Sequence, residues 1–499
     1  MTRPTPPGSR NKACFTTGSI MRHVLVMAGT GAIGLMAVFA VDMLNMVYIS
    51  HLGNTALSAA IGFASAIIGL QIAVSIGITI GLSASTAREI GAGRCAEARR
   101  IASSAMAVML VLTALLGVGT MVWAHPILAL FGARGEALDA ASAYLRVVSP
   151  ALPLICVGMG TSALMRVVGD ARGSMNITLM GAVVAAILDP LLIFGLHEGL
   201  MGAAISTVLS RLVVGLAGLR GALAHNMLTL PRLHRIGPDT RRVAKVALPA
   251  VLTNLATPAG GVYVTRAMSG FGLEAVAGQA SIERMIPVLF ALVFSLTGSV
   301  GPIMGQNLGA GRHERVTQTL TAALKLVVLS VGVTWLVLAC AQGIVVQLFQ
   351  AHGNAAALIH LFCSWTMGSY LFVGMLFVAN SAFNNLGFPL YSTAFNWGRA
   401  TLGTVPFVMM GARFGPLGVQ AGQALGAIIF GTLAVLTAFR VTRNLKVVRA
   451  GTPTTPDTVP VSDIPTTSAE AAMAELDDVE GTPTFYSDDR KNHYVQADD

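Results

Sequence analysis

The sequence predicts an all-α integral membrane protein of twelve transmembrane helices in two pseudo-symmetric six-helix bundles. Three observations carry that prediction. Hydrophobic residues make up 54% of the 499-residue chain and charged residues only 11%, against about 25% charged in a soluble domain. Such a composition excludes an ordinary cytosolic or secreted protein, because a soluble globule cannot hide that much apolar surface. The apolar residues fall into runs of about 20 or more, the length a bilayer requires of a helix. The first half of the chain also repeats in the second. With 54 glycines and 6% aromatics, closely packed helices fit better than a β-barrel.

Breaks at charge, Gly/Pro and turn residues set twelve spans near 23–49, 56–82, 101–123, 142–165, 174–196, 200–222, 244–268, 273–303, 317–341, 356–383, 389–411 and 415–439. Residues 1–22 form a basic cytoplasmic arm. The run from His23 to Ile49 is longer than a signal-peptide core of 7–15 residues, so it reads as a retained first span. Within it, Gly29, Gly31 and Gly34 spell GxGxxG. That fingerprint needs a strand before it and a βαβ unit around it, and here the apolar run continues unbroken. The three glycines therefore read as positions for helix packing or flexing.

Span 1 also carries Asp42. Of the twelve acids in residues 1–450, only Asp42, Asp189 and Glu283 lie well inside apolar runs. A carboxylate at membrane depth is costly and faces a cavity or a partner, so each is a functional candidate. Asp42 lies roughly 12 Å from the outer end of span 1, Asp189 roughly 10 Å down span 5, and Thr207 roughly 12 Å into span 6 from the same side. Two carboxylates and a hydroxyl at one level suit a proton site, or an oxygen-lined Na⁺ site. Each has a plainer reading: Asp42 pairs with Arg211, Asp189 caps a kinked helix ahead of Pro190, and Thr207 bonds back to its own helix.

Residues 224–242 are the longest polar interruption and read as a cytoplasmic linker between an N-lobe (23–223) and a C-lobe (243–440). In span 8, Glu283 beside Arg284 reads equally as a structural ion pair or a substrate contact. The second half lacks the acidic constellation, since Gly261, Pro406 and Gln423 stand at the equivalent positions, so coupling chemistry is expected in the N-lobe. Residues 441–499 read as a disordered acidic cytoplasmic tail.

The repeat itself rests on IGAGRCAEARR (90–100) against LGAGRHERVTQ (308–318), HLGNTAL (51–57) against GFGLEAV (270–276), Gly169 against Gly387, and GLMG (199–202) against GPLG (415–418). The offsets run from 216 to 219. Six spans per half leave both copies facing the same way, a transporter signature with alternating access between lobes. Charge sets the orientation. The N-terminal arm, even-numbered loops and start of the tail hold 22 Arg and Lys, and the odd loops hold only Arg134, Arg266 and Arg413. Both termini are therefore expected in the cytoplasm.

The same bases are scattered among apolar runs rather than gathered on one face, so no nucleic-acid partner is expected. Five cysteines without CxxC spacing imply neither a disulfide framework nor a zinc site. No HExxH or paired acidic metal motif stands in the loops, which argues against an enzyme.

GQNLGAGR (305–312), ALMRVVGDARGSMNI (163–177), ILDPLLIFGL (187–196) and GLMGAAISTVLSR (199–211) resemble the multidrug and toxic compound extrusion (MATE) transporters, over residues 20–440. The resemblance is greatest to the DinF-like branch. It implies an inner-membrane antiporter that exports organic, cationic or amphiphilic compounds in exchange for H⁺ or Na⁺, without a cofactor and as a monomer. In that branch the ion site includes a span 1 acid, an LDP aspartate and a span 6 threonine, matched by Asp42, Asp189 and Thr207. The asparagine usual four residues before the aspartate is Ala185 here, which favours H⁺ over Na⁺. Span 1 lacks the usual proline, so any bend falls to Gly29, Gly31 or Gly34. A lipid-linked oligosaccharide flippase of the same superfamily is the alternative, kept open by Arg211, Arg284 and Arg399.

Overall fold

The computed structural model describes residues 13–50 and 55–450. Of the tail expected over 441–499, residues 441–450 are helical instead, continuing the last span; the rest of it and the first twelve residues of the arm lie outside the described residues. Within them the chain is helical throughout and forms no strand, the expected answer to a solvent that satisfies no backbone polar group. The helices are α1 (Ile20–Ser50), α2 (Thr55–Gly91), α3 (Cys95–Val122), α4 (Ala124–Leu130), α5 (Gly135–Val148), α6 (Leu152–Val167), α7 (Ala171–Pro190) and α8 (Gly199–Ala224) in the first bundle. The second has α9 (Leu233–Ser269), α10 (Leu273–Leu289), α11 (Ala291–Gly309), α12 (His313–Leu348), α13 (Gly353–Ser364), α14 (Tyr370–Leu386), α15 (Pro389–Ala400), α16 (Val405–Ala412) and α17 (Gly415–Ala450).

Every expected span coincides with helix. Nine stretches among the described residues are long and apolar enough to cross a membrane, and α10 with α11, bent by 48°, makes a tenth. The other two crossings are α9, where Thr, Asn, Pro and Arg dilute the apolar run, and α15–α16, interrupted at Thr401–Thr404 ahead of Pro406. The polar stretch 224–242 is only partly a loop, since its second half forms the opening turns of α9. There Asp239, 1% exposed, takes both Nε and Nη2 of Arg100 at 3.1 Å and the Ser104 hydroxyl at 3.0 Å. A charged residue so buried needs such partners, and the cluster ties α9 to α3.

The internal duplication reappears in the backbone. Four pairs of glycines in the left-handed region stand at matching turns: Gly93 and Gly311, Gly135 and Gly353, Gly169 and Gly387, Gly199 and Gly415. A side chain is strained at positive φ, so glycine fixes the same turn twice.

The bundles meet most closely at the end that carries the GAGR loops. A Cβ on Gly91 would collide with the Gln306 carbonyl, and one on Gly309 with the Arg88 carbonyl, so α2 and α11 pack backbone against backbone. Arg88 Nη2 donates to the Asn385 carbonyl at 2.8 Å. The arm residues ahead of α1 are strapped across this seam. Phe15, 3% exposed, donates its N–H to Gln306 Oε1 at 2.9 Å, while Gln306 Nε2 donates to the Val167 carbonyl at 2.7 Å. Arg315 Nη2 donates to the carbonyls of Phe15, Thr17 and Gly18 at 3.0, 3.2 and 3.0 Å.

Candidate functional site

Three of the expected residues converge in the first bundle. Asp189 is the penultimate residue of α7, before Pro190 and a single wide π-turn over Leu191–Gly195. Proline withholds one helix hydrogen bond and a π-turn re-aims the chain. Asp189 caps no following segment; its carboxylate is 2% exposed and accepts a hydrogen bond from Asn45 Nδ2 of α1 at 3.1 Å. Asp42 stands three residues earlier on α1, one helical turn away, and is exposed at the protein surface. Asp42, Asp189 and Arg211 of α8 lie within electrostatic reach of one another, yet no ion pair at contact distance joins Asp42 to Arg211 among the described residues. Arg211, 7% exposed, instead donates Nη1 to the Val148 carbonyl at 3.1 Å.

Thr207 bonds back to its own helix, its hydroxyl donating to the Ala203 carbonyl at 2.8 Å. Its oxygen is also a neighbour of buried Tyr144, which lies in the field of Asp42, Asp189 and Arg211. Ser206 lies beside Asp189, although its buried hydroxyl makes no well-formed hydrogen bond. Asn45, Tyr144 and Ser206 were not singled out by sequence. Asn45 had one available signal: it follows Asp42 by three positions and so shares its helix face. An amide thus stands beside Asp189 although residue 185 is alanine.

The remaining candidates lie elsewhere. Glu283 and Arg284 are exposed on α10; Glu283 accepts from Gln279 Nε2 at 3.1 Å, and no ion pair at contact distance links the two among the described residues. α1 runs as one helix through Gly29, Gly31 and Gly34. Gly31 lets α11 approach, since a Cβ there would collide with Ser295 Oγ, while Gly34 faces Thr178 of α7. At these two positions the glycines serve packing. Arg399, beside the small second-bundle pocket, donates Nη2 to Thr257 Oγ1 at 3.2 Å.

Between the bundles lies a cavity of about 250 Å³, lined from α1, α2, α6 and α7 on one side and α11 and α14 on the other. Leu35 on its wall is seven residues from Asp42, roughly 10 Å along α1. Helices α1 and α7 therefore each carry cavity wall at one level and a carboxylate further along. Among the described residues, no group of three or more His, Cys, Asp or Glu could hold a metal.

Comparisons with known proteins agree with this architecture. A family model described as MatE matches residues 32–191 and 249–410, one segment in each bundle. The FAD transporter of Shewanella oneidensis is 27% identical over 441 residues, covering 87% of this chain and 97% of its own. The multidrug export protein MepA of Staphylococcus haemolyticus is 23% identical over 439 residues, with the same coverage, 87% and 97%. Among solved structures, the Vibrio cholerae MATE transporter VcmN in its bent form superposes with a TM-score of 0.80 at 21% identity, over 86% of this chain and 98% of that one. An outward-facing multidrug resistance MATE transporter of the MOP superfamily gives 0.82 at 20% identity, over 89% and 100%.

Proposed function

The chain belongs to the MatE family of multi-pass membrane transporters, and on that premise we propose that it is an H⁺-coupled antiporter exporting amphiphilic organic compounds. Members of this family are transporters, not enzymes, and work on ion gradients without an enzymatic cofactor. The observation that carries the proposal is the pairing of an exposed carboxylate, Asp42, with a buried one, Asp189, through one turn of α1 and the Asn45 amide.

In this reading protons enter from outside at Asp42 and are shared with Asp189. Two close carboxylates hold a proton more readily than one alone. Neutralising the pair removes the repulsion between α1 and α7, so the two helices repack. Because both also wall the cavity, repacking changes its shape, and substrate leaves outward. Substrate and protons then compete through a shared conformational equilibrium rather than a shared binding site. The closed seam at the GAGR end is what a transporter open to the outside needs, with both termini in the cytoplasm and the two bundles, α1–α8 and α9–α17, as the moving bodies. We take the protein to work as a monomer in the inner membrane.

Na⁺ is the rival coupling ion, favoured by one observation: with its nitrogen given to Asp189, Asn45 has an oxygen that no described residue engages, available to join the carboxylates around a hard cation. Its two named relatives divide the substrate question, one an FAD transporter and the other a multidrug exporter. The test is substrate movement in proteoliposomes under ΔpH and a Na⁺ gradient imposed separately. Movement under ΔpH alone supports the proposal, and movement that requires Na⁺ overturns the choice of ion.

A further inference from the structure

We propose that Arg166 binds an anionic group, a phosphate or carboxylate on a compact apolar body, inside the cavity between the bundles. The inference rests on the transport reading only for what the cavity is used for; the binding argument stands on the cavity itself.

Arg166 occupies the last turn of α6 and is the only charged residue lining the cavity among the described residues. One edge of its guanidinium is fixed: Nη1 donates to Ser174 Oγ at 2.9 Å and Ser162 Oγ at 3.3 Å, and those two hydroxyls lie 2.6 Å apart. The other edge is unpaired: among the described residues Nε is buried without a hydrogen-bond partner, and no hydrogen bond engages Nη2. Among the described residues no other charged side chain acts on the group. Nε and Nη2 present two parallel N–H bonds, the fork with which arginine takes a carboxylate or phosphate in bidentate fashion.

Gly298 of α11 stands over the face of the guanidinium, where a Cβ would lie 3.6 Å from both Nε and Nη2 and 3.7 Å from Cζ. The glycine leaves that face of the group uncovered. An uncompensated guanidinium at membrane depth is expensive, and an arriving anion supplies the missing charge and both missing hydrogen bonds. Leu35, Ile76, Ile80, Met159, Met175 and Phe294 make the rest of the wall largely apolar, which suits a hydrocarbon or aromatic body. The volume lies near the lower bound of about 300 Å³ for drug-sized ligands, so the body is small. A cationic ligand would meet repulsion and find no carboxylate.

The test uses the purified full-length protein, with binding of 1-naphthyl phosphate compared with that of 1-methylquinolinium, a cation of similar size and shape. Wild type is expected to bind the phosphate in preference. Arg166→Gln should weaken phosphate binding at least tenfold and leave the cation unaffected or bound more tightly. Gly298→Ala keeps the arginine and places a methyl in ordinary contact with the face of its guanidinium, which restricts the side chain, so it should weaken phosphate binding several-fold without any risk to the α6 structure. Equal phosphate affinity in all three proteins, or preference of wild type for the cation, overturns the proposal. Proteoliposome transport separates the two readings: phosphate bound through Arg166 but moved by neither gradient sinks the transport reading and leaves the anion site standing.

Discussion

Asn45 on α1 donates its side-chain amide to the buried carboxylate of Asp189 on α7 across 3.1 Å. This bond joins the helix that bears the exposed acid to the helix that bears the buried one. A hydrogen bond to a charged group is worth about 1.5–3 kcal/mol, enough to couple the position of α1 to the protonation of Asp189.

Asn45→Ala should therefore alter the pH profile of transport rather than abolish it. The amide favours the ionised carboxylate, so its removal makes proton release harder. At about 1.4 kcal/mol per pH unit, the half-maximal pH should move upward by roughly one to two units. An unmoved profile in a well-expressed variant would separate the Asn45 bond from coupling.

The GAGR-end seam predicts a second outcome. A methyl at Gly309 would collide with the Arg88 carbonyl, which belongs to backbone and cannot swing aside. Gly309→Ala should destabilise the sealed state by about 1–3 kcal/mol, the usual range for overpacking, and raise access to the seam from the GAGR end. Thermal unfolding in detergent and alkylation of seam residues report the two effects. A wild-type melting temperature together with unchanged access would contradict the packing described.

Cys14 offers a built-in reporter of that seam. Burial pushes its thiol above the ordinary value of 9.0, against a smaller lowering by the Gln306 side chain. The thiolate is the reactive form, so maleimide labelling in the closed state should be slow at pH 7 and still rising beyond pH 9. Arg315→Gln removes the clamp on the Phe15, Thr17 and Gly18 carbonyls and should speed labelling several-fold at pH 7. The measurement needs a Cys95→Ala/Cys340→Ala background, because those thiols are partly or fully exposed. Equal rates with and without Arg315 would mean that the strap does not hold the seam.

Asp239 predicts a stability effect remote from transport chemistry. Asp239→Asn takes the 1%-exposed carboxylate from Arg100 and leaves it only the partly exposed Glu97 at 3.3 Å. Breaking a buried pair costs about 3–5 kcal/mol, and the partial exposure of Arg100 with its remaining partner places the expected loss below that range, at about 1–3 kcal/mol. The melting temperature should fall while substrate affinity is retained.

Much of this was legible in the sequence because lipid imposes simple rules. Apolar length located the spans, and the 216–219 offset located the repeat, whose glycine turns recur in the backbone at Gly169 and Gly387 and at Gly199 and Gly415. The pair Gly135 and Gly353 escaped notice because no shared motif flanks it. Asp42, Asp189 and Thr207 stood out because charge and hydroxyl are rare at such depth. Asn45 did not, since an uncharged amide breaks no apolar run.

By sequence Arg166 falls among the loop charges that orient the chain, one residue beyond the expected end of span 4. In the fold α6 runs to Val167, and that last turn carries the guanidinium inward. Depth is what hydropathy estimates least well at helix ends, and there a difference of one turn separates an orienting charge from a binding one. Inter-helix partners such as Gly298 have no local signature at all.

If protons act through Asp42, ΔpH-driven substrate movement by wild type and Asp42→Asn in matched proteoliposomes will differ. Gradient-free substrate exchange serves as the control for folding and binding. The variant should keep exchange but lose at least tenfold of the ΔpH-driven rate. Undiminished ΔpH-driven movement by the variant would mean that protons act elsewhere.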